Sequence, residues 1–115
     1  MDPDHSDAAS LARELLPRLR RWDSASWSVR AELPADDTGG RMTRADVAAA
    51  VVQRLADAGA DAEGQPRRPV PLLAAVNLAD QLTVVVDDVL RIGDPAALRT
   101  AATELAALRS ALGYR

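Results

Sequence analysis

The stretch GDPAALRTAATELAALRSALG, residues 93–113, decides the fold class. Asp94-Pro95 sets an N-cap residue ahead of a proline at the first helical position, where a missing N–H removes no helical hydrogen bond. Leu98, Ala101, Ala102, Leu105, Leu108 and Leu112 then fall on one face at about 100° per residue. Gly113 supplies the stop, as Gly93 does for the segment before it. A helix with one apolar face needs other such faces to bury it, and the rest of the chain supplies them.

Immediately upstream, residues 72–92 contain a third helix whose Leu78, Leu82, Val85, Val86, Val89 and Leu90 make a wide apolar surface. Val84, Val85 and Val86 lower its intrinsic helix propensity, so packing has to hold them helical; a buried strand is the alternative there. Further back, Thr43 starts a second helix, with Asp46 three residues on and Val47, Ala48, Val51, Val52, Leu55 and Ala58 as its inner stripe. Gly59 is placed to end it. The first helix carries Ala8, Leu11, Ala12, Leu15, Leu19 and Trp22 on one face, with Ser6 or Asp7 as its cap. Pro17 removes one ladder bond, so this helix should kink or restart there.

Three connections remain. Residues 23–33 alternate Trp27, Val29, Ala31 and Leu33 with polar neighbours, which is strand-like, but no second strand exists to pair with them. The segment is expected either extended, packing Trp27 on the helices, or as a short helix capped by Asp23. Residues 34–41 read as a surface loop. Residues 60–71 form a second loop, in which Arg67-Arg68 lies between Pro66 and Pro69 and an extended, polyproline-like path is favoured. The expectation is an all-α chain: an antiparallel four-helix bundle with its first helix kinked or interrupted near Pro17. Residues 1–6 form a frayed tail and residues 7–113 a single helical domain.

Composition narrows the function classes. The length of 115 residues suits one domain. With no Cys, disulfide, thiolate-metal and thiol chemistry are absent; with no Lys, so is Schiff-base chemistry. The bias toward Ala, Arg, Asp, Leu and Val follows from GC-rich codons and reads as the mark of a high-GC bacterial genome. No apolar run has the length of a membrane helix, and the N-terminus is acidic and polar, the opposite of a signal peptide; a cytoplasmic location follows as the expectation. Net charge is −3, which disfavours general phosphate-backbone binding, and neither Arg18, Arg20 and Arg21 nor Arg67 and Arg68 are interleaved with aromatics.

Asp80 and Asp87 share a stripe with Arg91 opposite the apolar face, which reads as a solvated face, with Asp87–Arg91 an i,i+4 pair. Asp88 lies nearer the boundary and is the better candidate for a buried role. His5 is the only histidine and sits in the acidic tail, so no serine has a base and no Ser-His-Asp site can be built. Gly39-Gly40 is a turn, without the spacing of a phosphate loop. Arg67 and Arg68 offer forked donors to an acidic partner or phosphate, against the plainer role of a solvated loop. Trp22 and Trp27 suit an interface, against packing on the helices. No catalytic residue, metal ligand or cofactor is assigned.

Residues 42–51, Met-Thr-Arg-Ala-Asp-Val-Ala-Ala-Ala-Val, resemble the second-helix motif of DinB-like bundles, in particular the N-terminal domains of mycothiol-dependent maleylpyruvate isomerases. Residues 85–90, Val-Val-Asp-Asp-Val-Leu, are loosely similar to that family's later segment, and the resemblance covers residues 8–92. It implies the family's helical scaffold. It does not carry over the metal site, because Ala50 and Asp87 stand where the family has histidines; Asp88 matches the family's aspartate. The first expectation for function is therefore a non-enzymatic helical protein acting through protein contacts, as a homodimer or with another protein. A small-molecule-binding or vestigial DinB-like bundle comes second. A nucleic-acid-binding regulator comes third.

Overall fold

The computed structural model describes residues 2–33 and 41–114. Its elements, in order, are α1 (Pro3–Leu19), a one-turn α2 (Ser24–Trp27), α3 (Arg44–Ala62), a 3-10 turn (Ala75–Asn77), α4 (Leu78–Ile92) and α5 (Pro95–Ala111). The described residues contain no strand beyond one isolated antiparallel bridge, Arg30 to Thr43. The radius of gyration is 13.6 Å.

Local chemistry explains most helix ends. Asp94 accepts a hydrogen bond from the Ala97 N–H, with Pro95 in the first turn, and α5 begins where the sequence predicts. Thr43 and Asp46 form a reciprocal capping box at the start of α3, at 3.0 and 3.1 Å. Gly93 closes α4 in the left-handed region at φ 72°, which glycine enters without steric cost.

Other ends differ from the sequence reading. α1 begins at Pro3, because Asp2 caps it through the Asp4 N–H at 2.8 Å with Pro3 as the first helical residue; Ser6 and Asp7 lie inside the helix. The helix also runs through Pro17 without interruption. Pro17 sits in its last turn, so only one ladder bond is lost before the helix ends at Leu19. Gly59 does not end α3, which continues to Ala62. Gly59 is buried inside the helix instead, and a Cβ there would meet Ile92 Cδ1 of α4 at an ordinary contact distance of 3.8 Å, so the packing does not require a glycine. Gly64, at φ 66°, follows the true end.

The apolar faces meet in one aliphatic core. α1 packs on α5 and α4, α3 packs on α4 and α5, and the consecutive helices α4 and α5 touch each other less. Leu15, Leu19, Leu55, Leu82, Leu105 and Leu108 are among the fully buried side chains, and no polar or charged residue is buried among those described. Of the three valines, Val86 is fully buried and Val85 half-buried, while Val84 is 60% exposed. Burial of Leu82, Val86 and Val89 on one face holds this segment helical against its β-branched composition.

The ambiguous residues 23–33 resolve into the capped one-turn helix, with Asp23 accepting from the Ser26 N–H at 2.9 Å. Trp27 is fully buried, Ser28 and Val29 turn the chain, and the residues from Arg30 on run beside the approach to α3. They find partners outside any sheet: the Ala31 N–H donates to the Met42 carbonyl and the Glu32 N–H to the Ala111 carbonyl. The loop expected over residues 34–41, including Gly39-Gly40, lies outside the described residues apart from Arg41.

Candidate functional site

The most built-up surface is where residues 65–74 cross α3 and α4. This strap belongs to no helix or strand and carries Pro66, Pro69 and Pro71. Two carboxamides hold it. Gln53 accepts from the Val70 N–H at 2.8 Å and donates to the Arg68 carbonyl at 3.0 Å, pairing with the strap as a neighbouring peptide unit would. Its amide also donates to Asp57 at 2.9 Å. Gln81 donates to the Pro71 carbonyl at 3.0 Å. Val70 packs against the core beneath.

Two grooves flank this anchor. One, of about 450 Å3, has Leu55, Gly59, Val85 and Ile92 in its wall and Arg68 and Asp88 among its polar groups. The other, of about 350 Å3, runs past Ala49, Ala50 and Gln53 to Leu72 and Leu73. Beside them the surface is unusually apolar. Leu72 is 90% exposed, Leu73 56% and Val76 50%, and Val84 lines a smaller depression with Val70 and Gln81. No large hydrophobic side chain of α5 is exposed to this degree.

The singled-out residues separate. Arg67 turns away from the grooves and grips Asp61 with two bonds, at 3.0 and 2.7 Å. That pairing raises the Arg67 pKa and lowers the Asp61 pKa; both groups stand in open solvent. Asp88 is exposed, not buried, and it is Asp88 rather than Asp87 that pairs with Arg91, at 3.4 Å across three residues. Trp27 belongs to the core, its indole N–H without a hydrogen-bond partner among the described residues. Trp22 is half-buried, edge-on to Trp27 with ring centroids 4.8 Å apart. Arg20 leaves Arg18 and Arg21 to meet Thr83 at 2.9 Å and Asp80 at 3.9 Å. Among the described residues no group of three His, Cys, Asp or Glu side chains is arranged to hold a metal ion.

Sequence reasoning missed Gln53, whose only signal was an uncharged amide beside the apolar stripe of α3, and the exposure of Leu72 and Leu73. It also missed Tyr114, which folds back on α1 to lie 6.1 Å from Trp22, under the Arg18 guanidinium at 4.7 Å. No helix of the described residues is long and apolar enough to cross a membrane. Comparison with family models, with curated proteins and with solved structures finds no match to this chain, so its function is argued from its own residues.

Proposed function

We propose that this chain is a non-catalytic, antiparallel four-helix bundle that works by protein contact, with Leu72, Leu73, Val76 and Val84 at the centre of the contact face. The exposure of these four side chains carries the reading. Exposed apolar residues scattered singly are ordinary, but here three fall within five residues, Leu72 and Leu73 on a strap pinned by two glutamines and Val76 on the 3-10 turn that follows it. Val84 adds to it: a β-branched residue on an exposed helical position costs helix propensity and returns nothing to the monomer's core. A standard interface covers about 800 Å2 per partner, roughly an eighth of this chain's 6647 Å2 surface, so flanking groups must join the four. The partner is a second copy of the chain or another protein. Sedimentation velocity over a hundredfold concentration range tests the first case. A dimer that dissociates in the Leu72→Asp/Leu73→Asp variant supports a homodimer, and a monomer at every concentration assigns the face to another chain.

The groove that contains both Arg68 and Asp88 favours a second reading, a small-molecule-binding bundle of DinB-like descent. Such a ligand would lie outside the core, against apolar residues with opposite charges beside it. Fragment screening by NMR tests this, with hits that shift Val85 and Ile92 and weaken in Arg68→Ala as the supporting result.

A further inference from the structure

Away from the contact face, α1 ends against the C-terminal turn, and the two enclose a cleft of about 440 Å3. It is lined by Arg13, Glu14, Pro17, Arg18, Arg21, Trp22 and Tyr114. Arg13 and Pro17, four residues apart, share one face of α1, and Arg21 follows in the turn just beyond its C-cap. Arg18 is placed by an aromatic ring. Its guanidinium lies over Tyr114, and Tyr114 in turn leans on Trp22. A second guanidinium, that of Arg44, covers Trp22 at 4.7 Å.

The charges do not balance inside the cleft. Glu14, the one carboxylate among the lining residues, is engaged by Arg109 at 3.5 Å. Among the described residues Arg13, Arg18 and Arg21 have no carboxylate within ion-pair distance. Arg13 donates to the Ser10 hydroxyl at 3.3 Å. A basic residue at the end of a helix complements the helix dipole, and this accounts for Arg18 in the last turn of α1. It does not account for Arg13, more than a turn earlier, nor for the seating of Arg18 on the Tyr114 ring. A ring contact occupies the face of a guanidinium and leaves its N–H edge free, and that fork matches the oxygens of a phosphate.

We propose that this cleft binds the phosphate group of a small phosphorylated ligand, with Arg13, Arg18 and Arg21 as donors and Tyr114 as the support that fixes Arg18. The site is independent of the contact face, so either can fail alone. The test is NMR of the full chain titrated with inorganic phosphate and then pyrophosphate, with sodium chloride adjusted to constant ionic strength. The expected result is saturable shifts confined to Arg13, Arg18, Arg21, the Trp22 indole and Tyr114, with tighter binding of pyrophosphate. Arg21→Gln, which removes no contact of the fold, should weaken binding at least about tenfold, the scale of one charge-assisted hydrogen bond. Arg67→Gln should leave it unchanged. Vesicles containing phosphatidic acid, titrated alongside, separate a lipid source of the phosphate from a free one, and saturation through the same arginines by either supports the site. Linear, unsaturable shifts, shifts of equal size around Arg67 and Arg68, or binding of a single-stranded oligonucleotide without binding of phosphate or pyrophosphate would overturn it.

Discussion

Replacing Gln53 by Ala should free the strap while leaving the helices in place. The Gln53 side chain makes two bonds to the strap, to the Val70 N–H and the Arg68 carbonyl. An intramolecular hydrogen bond contributes about 0.5–1.5 kcal/mol net, and both bonds lie near water, so their joint loss is about 1–2 kcal/mol of local stability. With tenfold for each 1.4 kcal/mol, hydrogen-exchange protection of the Val70 amide should fall about five- to thirtyfold. Amides of Leu55 and Leu105, fully buried in α3 and α5, should change less. Gln53→Glu sharpens the test. It keeps an acceptor for Val70 but has no donor for Arg68, and it sets a second carboxylate beside Asp57. It should release the strap at neutral pH at least as far as Ala does. Unchanged protection at Val70, or equal loss of protection across all helices, would refute the idea that this side chain is a local anchor.

Further expectations follow from the helix ends and the core. Gly59→Ala should raise thermal stability, by about 0.5–1 kcal/mol, because Gly59 lies inside α3 and its new Cβ meets Ile92 only at ordinary contact distance. Gly93→Ala should instead destabilise by about 1 kcal/mol, since that residue sits at φ 72° with open space around it and the cost is conformational alone; calorimetry on the two variants reads the opposite signs. Thr43→Ala, which breaks the capping box, should cost about 1 kcal/mol in a urea melt. In a pH titration, Asp23 should remain ionised below the ordinary aspartate range, because the Ser26 N–H bond, first among several causes, lowers its pKa. The folded-state value is the depressed one, so the cap's contribution is present above the unfolded value and is lost as pH falls through the folded one; the Ser26 amide shift reports that midpoint.

The long-period features of the fold were legible because each helix repeats its signal. Asp94-Pro95, Thr43 with Asp46, and the leucines of α5 each state the same answer at the level of cap, stripe and stop, and the structure agrees with all three. The ends that were misread rest on one residue with two uses. A glycine can end a helix or sit within one, and at Gly59 the packing of α3 against α4, distant in sequence, decides between them. Asp2-Pro3 is itself a start signal, obscured by the polar composition around it. The strand-like alternation after Trp27 holds only in part: Ser28 and Val29 turn the chain and Val29 is exposed, while Ala31 and Glu32 pair with the residues leading into α3 and the end of α5, distant in sequence. The candidate sites were less legible for the same reason. Leu72 and Leu73 look like core in a one-dimensional pattern, and nothing near Tyr114 in the chain announces that it will meet Arg18 and Trp22.

Native mass spectrometry of the chain purified gently from its source cells, side by side with the Leu72→Asp/Leu73→Asp variant, tests the contact-face proposal most directly. The proposal expects the unaltered chain to carry the mass of a second polypeptide, another copy or another protein, and the variant to appear alone with its helical circular dichroism intact. A bare monomer in both preparations, or a complex that survives the two aspartates, would contradict it.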